Sequence, residues 1–319
     1  MLAIVALGFV ANLWLTARLT VWACGTAPAE EDTQDGKMQL NQVAFGRVHW
    51  AFWGTVLSLC LLLAVTDQLN GRQLEPLFHL SATVCGYLVG DMLPQRLGRI
   101  LHPVVVCAAL TSLSAGAFGV LIGKGWAGGV NAYLTQEVNS RGAGDWLMSF
   151  LGPVVLSFGF SVFSRRLVML RHRRVIAMAI VTCSLFSMIS TALAGRLLAL
   201  HPKFVLAIVP RSVTVALALP IAQSLGVSSL PITAGAVVLT GLMGANFSAM
   251  LLTWMGITSP IARGLSAASS AHGLATAALT ASESETLPYC SLAYALSAIT
   301  STLLANVPII RHLLVSIAG

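Results

Sequence analysis

The chain has 319 residues, of which 56% are hydrophobic and only 9% are charged, and its net charge is +7. Soluble globular domains carry about 25% charged residues, so this composition excludes an ordinary soluble protein. The basic residues stand in short clusters between apolar runs, without the interleaved aromatic residues of a nucleic-acid-binding surface. We therefore expect the chain to contact membrane lipids and not nucleic acid.

Ten apolar segments follow one another, several of them long enough to span a bilayer, which takes about 20 residues as a helix. Because backbone groups in lipid must be hydrogen-bonded within the segment, each segment is predicted to be helical. The segments are Leu2–Cys24, Trp50–Leu69, Leu77–Leu93, Ile100–Gly123, Trp146–Phe163, Val175–Leu200, Phe204–Leu225, Pro231–Met255, Pro260–Ala281 and Leu287–Ser316. The predicted fold class is an all-α integral membrane protein with about ten transmembrane helices.

Two prolines are predicted to break helices, Pro153 and Pro210, because proline removes a backbone hydrogen bond and clashes with the preceding turn. A broken helix frees N–H groups of partial positive charge, and transporters use such breaks as substrate sites. The alternative is a kink without a ligand. A short likeness between Leu151–Ser157 and Ile208–Thr214 favours an internal, inverted repeat of the kind that transporters contain.

Arg211 directly follows the second proline and precedes Ser212 and Thr214. Arginine can hold a carboxylate through two parallel hydrogen bonds, so these three residues are predicted to bind an anion. The alternative is that the Arg211 side chain extends to the membrane interface.

Two further segments carry candidate polar groups. Residues 267–278 are small and hydroxyl-bearing around His272 and Thr276. A histidine there could hydrogen-bond a substrate or carry a proton; alternatively, a neighbouring carbonyl satisfies it and the helix serves packing. Asn246, within Thr240–Phe247, is expected either to bind a substrate hydroxyl or to bridge two helices.

The six cysteines lie far apart and lack the spacing of a zinc site. We predict no metal site and no cofactor, while proton coupling stays open. The sequence also leaves the oligomeric state open, a homo-oligomer included.

Several of these motifs resemble a known family. Pro210–Ala218 resembles the Pro-Lys-Ser-Val-Thr signature of the LrgB/CidB membrane protein family, and Ser269–Ala278 resembles its second signature, His-Gly followed by Gly-Thr-Ala. Thr240–Phe247, Pro260–Gly264 and Ala293–Leu296 are similar to its plant branch, the plastidial glycolate/glycerate translocators. The resemblance covers about residues 75–319.

Two positions depart from the family pattern. Arg211 stands where bacterial members have lysine, which keeps the cation, and Ala275 stands where the family usually has glycine. Close backbone approach at Ala275 is therefore less secure.

The resemblance implies a carrier of photorespiration that exchanges glycolate and glycerate across the plastid inner envelope and crosses that membrane several times. Residues 71–319 would form the LrgB-like transport domain. Residues 1–70 would be a remnant of an LrgA-like part, with an acidic linker at 25–41. Family members carry a transit peptide in front, so Met1 is expected either to begin a signal-anchor helix or to follow the cut end of a longer precursor.

We expect Arg211 and the N–H groups of the broken helix to hold the substrate carboxylate. Thr214, Asn246, His272 and Thr276 would surround its hydroxyl end. The rival function is a holin-like regulator of cell death that forms or modulates a pore and needs no stereospecific site. An intramembrane enzyme is disfavoured, because the apolar segments show no paired carboxylates and no metal-type His and Glu spacing.

Overall fold

The computed structural model describes residues 1–24, 46–66, 71–94, 102–135 and 140–319, and all regular structure within them is helical. The α-helices are α1 (Leu2–Cys24), α2 (Arg47–Val65), α3 (Gly71–Asp91), α4 (Pro103–Leu121), α5 (Gly125–Asn131), α6 (Ala143–Ser149), α7 (Leu151–Ser164), α8 (Arg166–Arg171), α9 (Arg173–Leu197), α10 (Pro202–Ile208), α11 (Val215–Ser224), α12 (Leu230–Trp254), α13 (Pro260–Ser282), α14 (Leu287–Asn306) and α15 (Pro308–Ala318). A short 3₁₀ turn, Ser284–Thr286, precedes α14.

Seven helical stretches of the described residues are long and apolar enough to cross a membrane: Leu2–Cys24, Arg47–Val65, Pro103–Leu121, Ala143–Ser164, Arg173–Leu197, Leu230–Trp254 and Ser284–Asn306. Large apolar side chains lie on their outer surfaces, and Leu156, Phe160 and Trp254 are 70%, 77% and 82% exposed. Surfaces of this kind are stable against lipid and not against water. The prediction of an all-helical membrane protein is confirmed, whereas the count of ten membrane-spanning helices is not.

Broken helices account for one of the missing spans and shorten another. Phe204–Leu225, predicted as one helix, forms the two short helices α10 and α11. Leu287–Ser316 divides at Val307, whose φ of −71° and ψ of 121° are extended. The residue before a proline is disfavoured in the helical region, and Pro308 follows. Two short helices that follow one another in an apolar stretch cannot be told from one long helix by hydropathy alone.

The two predicted breaks differ in kind. At the first, α6 ends at Ser149 and α7 begins at Leu151, so a single residue interrupts the helical stretch. Pro153 lies in the first turn of α7, where a missing N–H removes no helical hydrogen bond. At the second, six residues, 209–214, separate α10 from α11. The inverted repeat inferred from these two segments stays a prediction.

The chain forms two compact units, and the first contains α1 together with Gly152–Gly319. Within it, α1 packs against α9, α12 and α13, while α12 packs along α13. The predicted acidic linker at 25–41 lies outside the described residues. The predicted division at residue 70 stays a prediction, although α1 itself belongs to the same unit as the C-terminal helices.

The second unit lies within Met38–Leu151. Its helix α3 places Glu75, His79 and Thr83 four residues apart, so that they share one helix face. Glu75 forms an ion pair with Lys124, and the hydroxyl groups of Thr83 and Tyr133 are 3.1 Å apart. His79 is fully buried. This unit therefore keeps a polar helix face inside.

Close approach of α12 and α13 depends on glycine. A Cβ atom added at Gly244 would clash with the Cβ of Ala271 and lie 2.8 Å from the Cβ of Ala275. Gly241, one turn earlier on the same face, leaves room for the ring of His272, whose Cε1 would lie 2.5 Å from an added Cβ. The small residues of both helices thus allow backbone approach, as is typical of membrane helix pairs.

We predict that Gly244→Ala lowers the unfolding temperature in detergent, because overpacking of a tight contact typically costs about 1–3 kcal/mol. Gly235→Ala on the same helix is the control, since nothing lies within 4 Å of its Cβ position and alanine favours helix over glycine by about 1 kcal/mol. Equal unfolding temperatures for the two variants would contradict the tight crossing.

Candidate anion-binding site

A non-helical loop, residues 209–214, separates α10 from α11 inside the first unit. Pro210 cannot donate a backbone hydrogen bond, and it follows directly on the end of α10, a common place for proline. The N–H of Arg211 donates to the carbonyl of Ile208 at 3.2 Å, and that of Val213 to the carbonyl of Pro210 at 3.0 Å. Every residue from 205 to 213 is buried. The break therefore lies in the interior of the unit.

Arg211 is completely buried in this break. Its Nε donates to Thr191 Oγ1 at 2.9 Å, whereas Nη1 and Nη2 are buried without a hydrogen-bond partner. No acidic side chain pairs with it in the part of the chain that the structure describes. A buried charge without a counter-ion is strongly unfavourable. The described residues therefore supply no counter-ion for this guanidinium.

A second buried arginine shows what a fully satisfied guanidinium looks like in the same unit. Arg263 is 8% exposed, and its Nε donates to Glu283 Oε2 at 2.6 Å. Its Nη1 donates to the carbonyl of Ile257 at 2.8 Å, and its Nη2 donates to Glu283 and to Thr253. Arg263 thus ties α12 and α13 together through its own protein partners, which Arg211 does not have.

A polar face of α9 supports the Arg211 loop. Cys183, Ser187 and Thr191 are spaced by four residues and lie on one side of that helix. The Ser187 hydroxyl donates to Ser212 Oγ at 2.8 Å. The Thr191 hydroxyl donates to the carbonyl of Ser187 at 2.6 Å, which leaves its oxygen free to accept from Arg211. These hydrogen bonds fix the loop to α9 through Ser212 and fix the Nε end of the guanidinium through Thr191.

The first helix closes the site from the other side. A Cβ atom added at Gly8 would clash with Nη2 of Arg211 and lie 2.9 Å from its Cζ. One turn later, Asn12 accepts a hydrogen bond from the Cys183 thiol, with the sulfur 3.2 Å from Oδ1. Glycine at position 8 is therefore required for the guanidinium to lie against α1.

A second break interrupts α13, where composition predicted one continuous helix. Ala271 has φ −145° and ψ 29°, and His272 has φ 46° and ψ −144°. A positive φ is unfavourable for a residue with a side chain, and such strain concentrates at functional sites. The imidazole Nε2 of His272 lies 2.9 Å from the carbonyl oxygen of Val237 on α12. His272 is thus satisfied by a neighbouring carbonyl, one of the two roles expected for it.

The structure brings together only part of the predicted site. Arg211 and Ser212 lie in one buried group, and Thr214 starts α11 half-buried, without a capping hydrogen bond from its side chain. The Thr276 hydroxyl donates to the carbonyl of His272 at 3.0 Å.

Asn246 does not join this group. It is exposed, and its Nδ2 donates to the carbonyl of Leu242 on its own helix at 2.8 Å. An amide that points outward from α12 cannot reach the buried guanidinium.

Sequence reasoning missed the residues that surround Arg211, namely Gly8, Asn12, Cys183, Ser187 and Thr191. The available signal was their spacing: polar or small residues recur every four positions within two apolar segments. Such spacing puts them on one helix face, but it does not show which helix that face meets.

We predict opposite effects of replacing Arg211 and Arg263. Arg211→Met should raise the unfolding temperature of the ligand-free protein, because an apolar side chain of similar volume replaces an unpaired buried charge. Arg263→Met should lower it, because breaking a buried pair costs about 3–5 kcal/mol, reduced here since the Glu283 side chain is 22% exposed. Thermal unfolding in detergent measures both. A fall for Arg211→Met as large as that for Arg263→Met would mean that Arg211 is held by the protein itself.

The sequence is similar to several known proteins. The chain is 46% identical over 242 residues to plastidal glycolate/glycerate translocator 1, chloroplastic, of Arabidopsis thaliana, which covers 76% of this chain and 47% of that protein. It is 28% identical over 163 residues to the uncharacterized protein YxaC of Bacillus subtilis, covering 51% of this chain and 67% of the relative. It is 25% identical over 167 residues to the holin-like protein CidB of Staphylococcus epidermidis, covering 52% and 72%.

The chain spans about half the length of the Arabidopsis relative, and no solved structure matches it. The sequence model of the LrgB-like family matches residues 83–311. That range contains the Arg211 loop, both helix breaks and the Gly241 and Gly244 crossing. The resemblance inferred from the two signatures is confirmed, and the chain belongs to the LrgB-like family.

Proposed function

We propose that this protein is a secondary transporter that exchanges glycolate and glycerate across the plastid inner envelope, as photorespiration requires. The observation that carries the proposal is the completely buried Arg211, whose Nη1 and Nη2 have no partner. Further support comes from the similarity to a plastidal glycolate/glycerate translocator and from seven helical stretches able to cross a membrane.

The chemistry of the site suits one carboxylate. Simple carboxylic acids have a pKa near 4, so glycolate and glycerate are anions at neutral pH. The two terminal nitrogens of Arg211 present parallel N–H groups that match the two oxygens of a carboxylate. The side chain of Thr214 does not cap α11, so the first N–H groups of this ten-residue helix add partial positive charge beside the loop.

Exchange needs the site to open alternately to the two sides of the membrane. Transporters achieve this by moving one group of helices past another around a site formed by broken helices. Here the first unit contains two such breaks, at residues 209–214 and at Ala271 and His272. Thr214, His272 and Thr276 are the proposed contacts of the substrate as it is carried.

A holin-like role is the second candidate, favoured by the similarity to CidB. A pore or pore modulator would pass solutes without saturation and would have no use for an unpaired guanidinium in a closed interior. Transport that saturates, and that depends on the solute on the opposite side, separates the two functions.

We predict that proteoliposomes loaded with glycolate take up radiolabelled glycerate faster and more saturably than empty or acetate-loaded vesicles. Arg211→Gln should reduce this uptake roughly tenfold to hundredfold, because hydrogen bonds to charged groups contribute about 1.5–3 kcal/mol. The matched control is Arg196→Gln, since Arg196 is bound to the carbonyl of Ser316 near the end of α9.

Normal uptake by folded Arg211→Gln protein would refute the assignment of the site. Uptake that is indifferent to the loaded solute, together with general leakage from the vesicles, would refute exchange and favour the holin-like function.

A further inference from the structure

We infer that the first helix completes the substrate site: the side-chain amide of Asn12 hydrogen-bonds the hydroxyl of the hydroxy acid whose carboxylate lies on Arg211. This inference rests on the proposed function and specifies the site's selectivity. Helix α1 lies outside residues 83–311, the part matched by the family model, so the family comparison assigns it no role.

Helix α1 is enclosed by the unit and is not a peripheral anchor. It packs against α9, α12 and α13. Gly8 and Asn12 are one turn apart and share a face of α1, and Gly8 touches the guanidinium of Arg211. Asn12 therefore lies about one helical turn, or roughly 6 Å, further along the same face, which is the scale of a two- or three-carbon acid.

The side-chain amide of Asn12 has a hydrogen-bond partner for its oxygen but not for its nitrogen. The residue is fully buried, and its Oδ1 accepts from the Cys183 thiol, while Nδ2 is buried without a partner. An unpaired buried donor is unfavourable, so it indicates a missing acceptor. The same thiol lies on the face of α9 that carries Thr191, the hydrogen-bond partner of Arg211, so the amide and the guanidinium contact the same helix face.

A second unpaired group lies in the segment that this thiol contacts. The Cys183 sulfur lies 3.6 Å from the carbonyl oxygen of Ser269. The next residue, Ser270, is the last before the break in α13, and its buried hydroxyl has no hydrogen-bond partner. An amide N–H donates and a serine hydroxyl both donates and accepts, so together they satisfy a substrate hydroxyl. Arg211, Asn12 and Ser270 thus offer one carboxylate contact and two hydroxyl contacts.

This arrangement predicts selectivity against acids that lack the hydroxyl. A site built to hydrogen-bond a substrate hydroxyl rejects the analogue without it, because the buried polar groups are then left unpaired. Acetate differs from glycolate by that hydroxyl alone, so the pair isolates the hydroxyl contacts, and the change at Asn12 measures that residue's share of them.

The test compares Asn12→Leu with Asn246→Leu, the same change at an exposed asparagine that bonds only its own helix. Inhibition of glycerate exchange by unlabelled glycolate and by unlabelled acetate is measured in proteoliposomes. Asn12→Leu should reduce the preference for glycolate over acetate about tenfold, the loss expected for one hydrogen bond, and Asn246→Leu should leave it unchanged.

An unchanged preference in active Asn12→Leu protein would overturn the inference and leave the proposed function standing. Absence of saturable exchange in the unmutated protein would instead refute the proposed function. Loss of acetate and glycolate inhibition by the same factor in Asn12→Leu would show that Asn12 only supports the fold.

Should Asn12→Leu fail to fold, Gly8→Ala tests the same placement of α1. Its methyl group would displace the Arg211 guanidinium, so the concentrations of glycolate and of acetate that inhibit half of the exchange should both rise at least about tenfold, since a charge-assisted contact is lost. Gly235→Ala, in open space, is the control. Unchanged inhibition by both acids in Gly8→Ala would place α1 away from the site and overturn the inference.

Discussion

The buried charge of Arg211 is the constraint on which the rest of this interior depends. A guanidinium at 0% exposure with two unpartnered nitrogens is unstable unless something else binds it. The surroundings accommodate it in specific ways. Proline starts the loop, Thr191 accepts one bond, and Gly8 provides space for the terminal nitrogens. Each of the three side-chain nitrogens of Arg263 donates to a protein group, which shows that the same unit can hold a buried arginine with its own residues.

Sequence could predict the Arg211 loop because its signals are local. Pro210 lacks a backbone donor, a cation follows it, and both lie in an apolar run. Elementary chemistry therefore predicts a break, which the structure contains, and an anion contact, which stays a prediction. Pro153 shows the limit of that reasoning: in the first turn of a helix the same residue type removes no helical hydrogen bond, and only the helix boundaries tell the two cases apart.

The second break could not be predicted from its own residues. Neither Ala271 nor His272 is a helix breaker, and the unusual φ of His272 exists because packing against α12 allows it. Gly241 and Gly244, three residues apart on that helix, make the room. The glycine spacing was visible in the sequence, but its meaning depends on which helix lies opposite. The same limit explains Asn246, because an amide in an apolar helix can face inward or outward and sequence does not fix its rotation.

Apolar runs predicted where the helices are but not how many cross a membrane. A broken run such as Phe204–Leu225 has the hydropathy of one span and the structure of two short helices. The first helix carried no motif, so only tertiary packing reveals that Gly8 and Asn12 reach the same interior as Arg211. Spacing and composition cannot predict which helices, distant in sequence, pack together to form a site.

An experimental structure determined with glycolate present would show most directly whether Arg211 binds the substrate carboxylate. We expect a carboxylate within hydrogen-bonding distance of both Nη1 and Nη2 of Arg211, with the hydroxyl directed toward Asn12. A glycolate bound elsewhere, or an acidic side chain of the protein itself occupying the guanidinium, would contradict it.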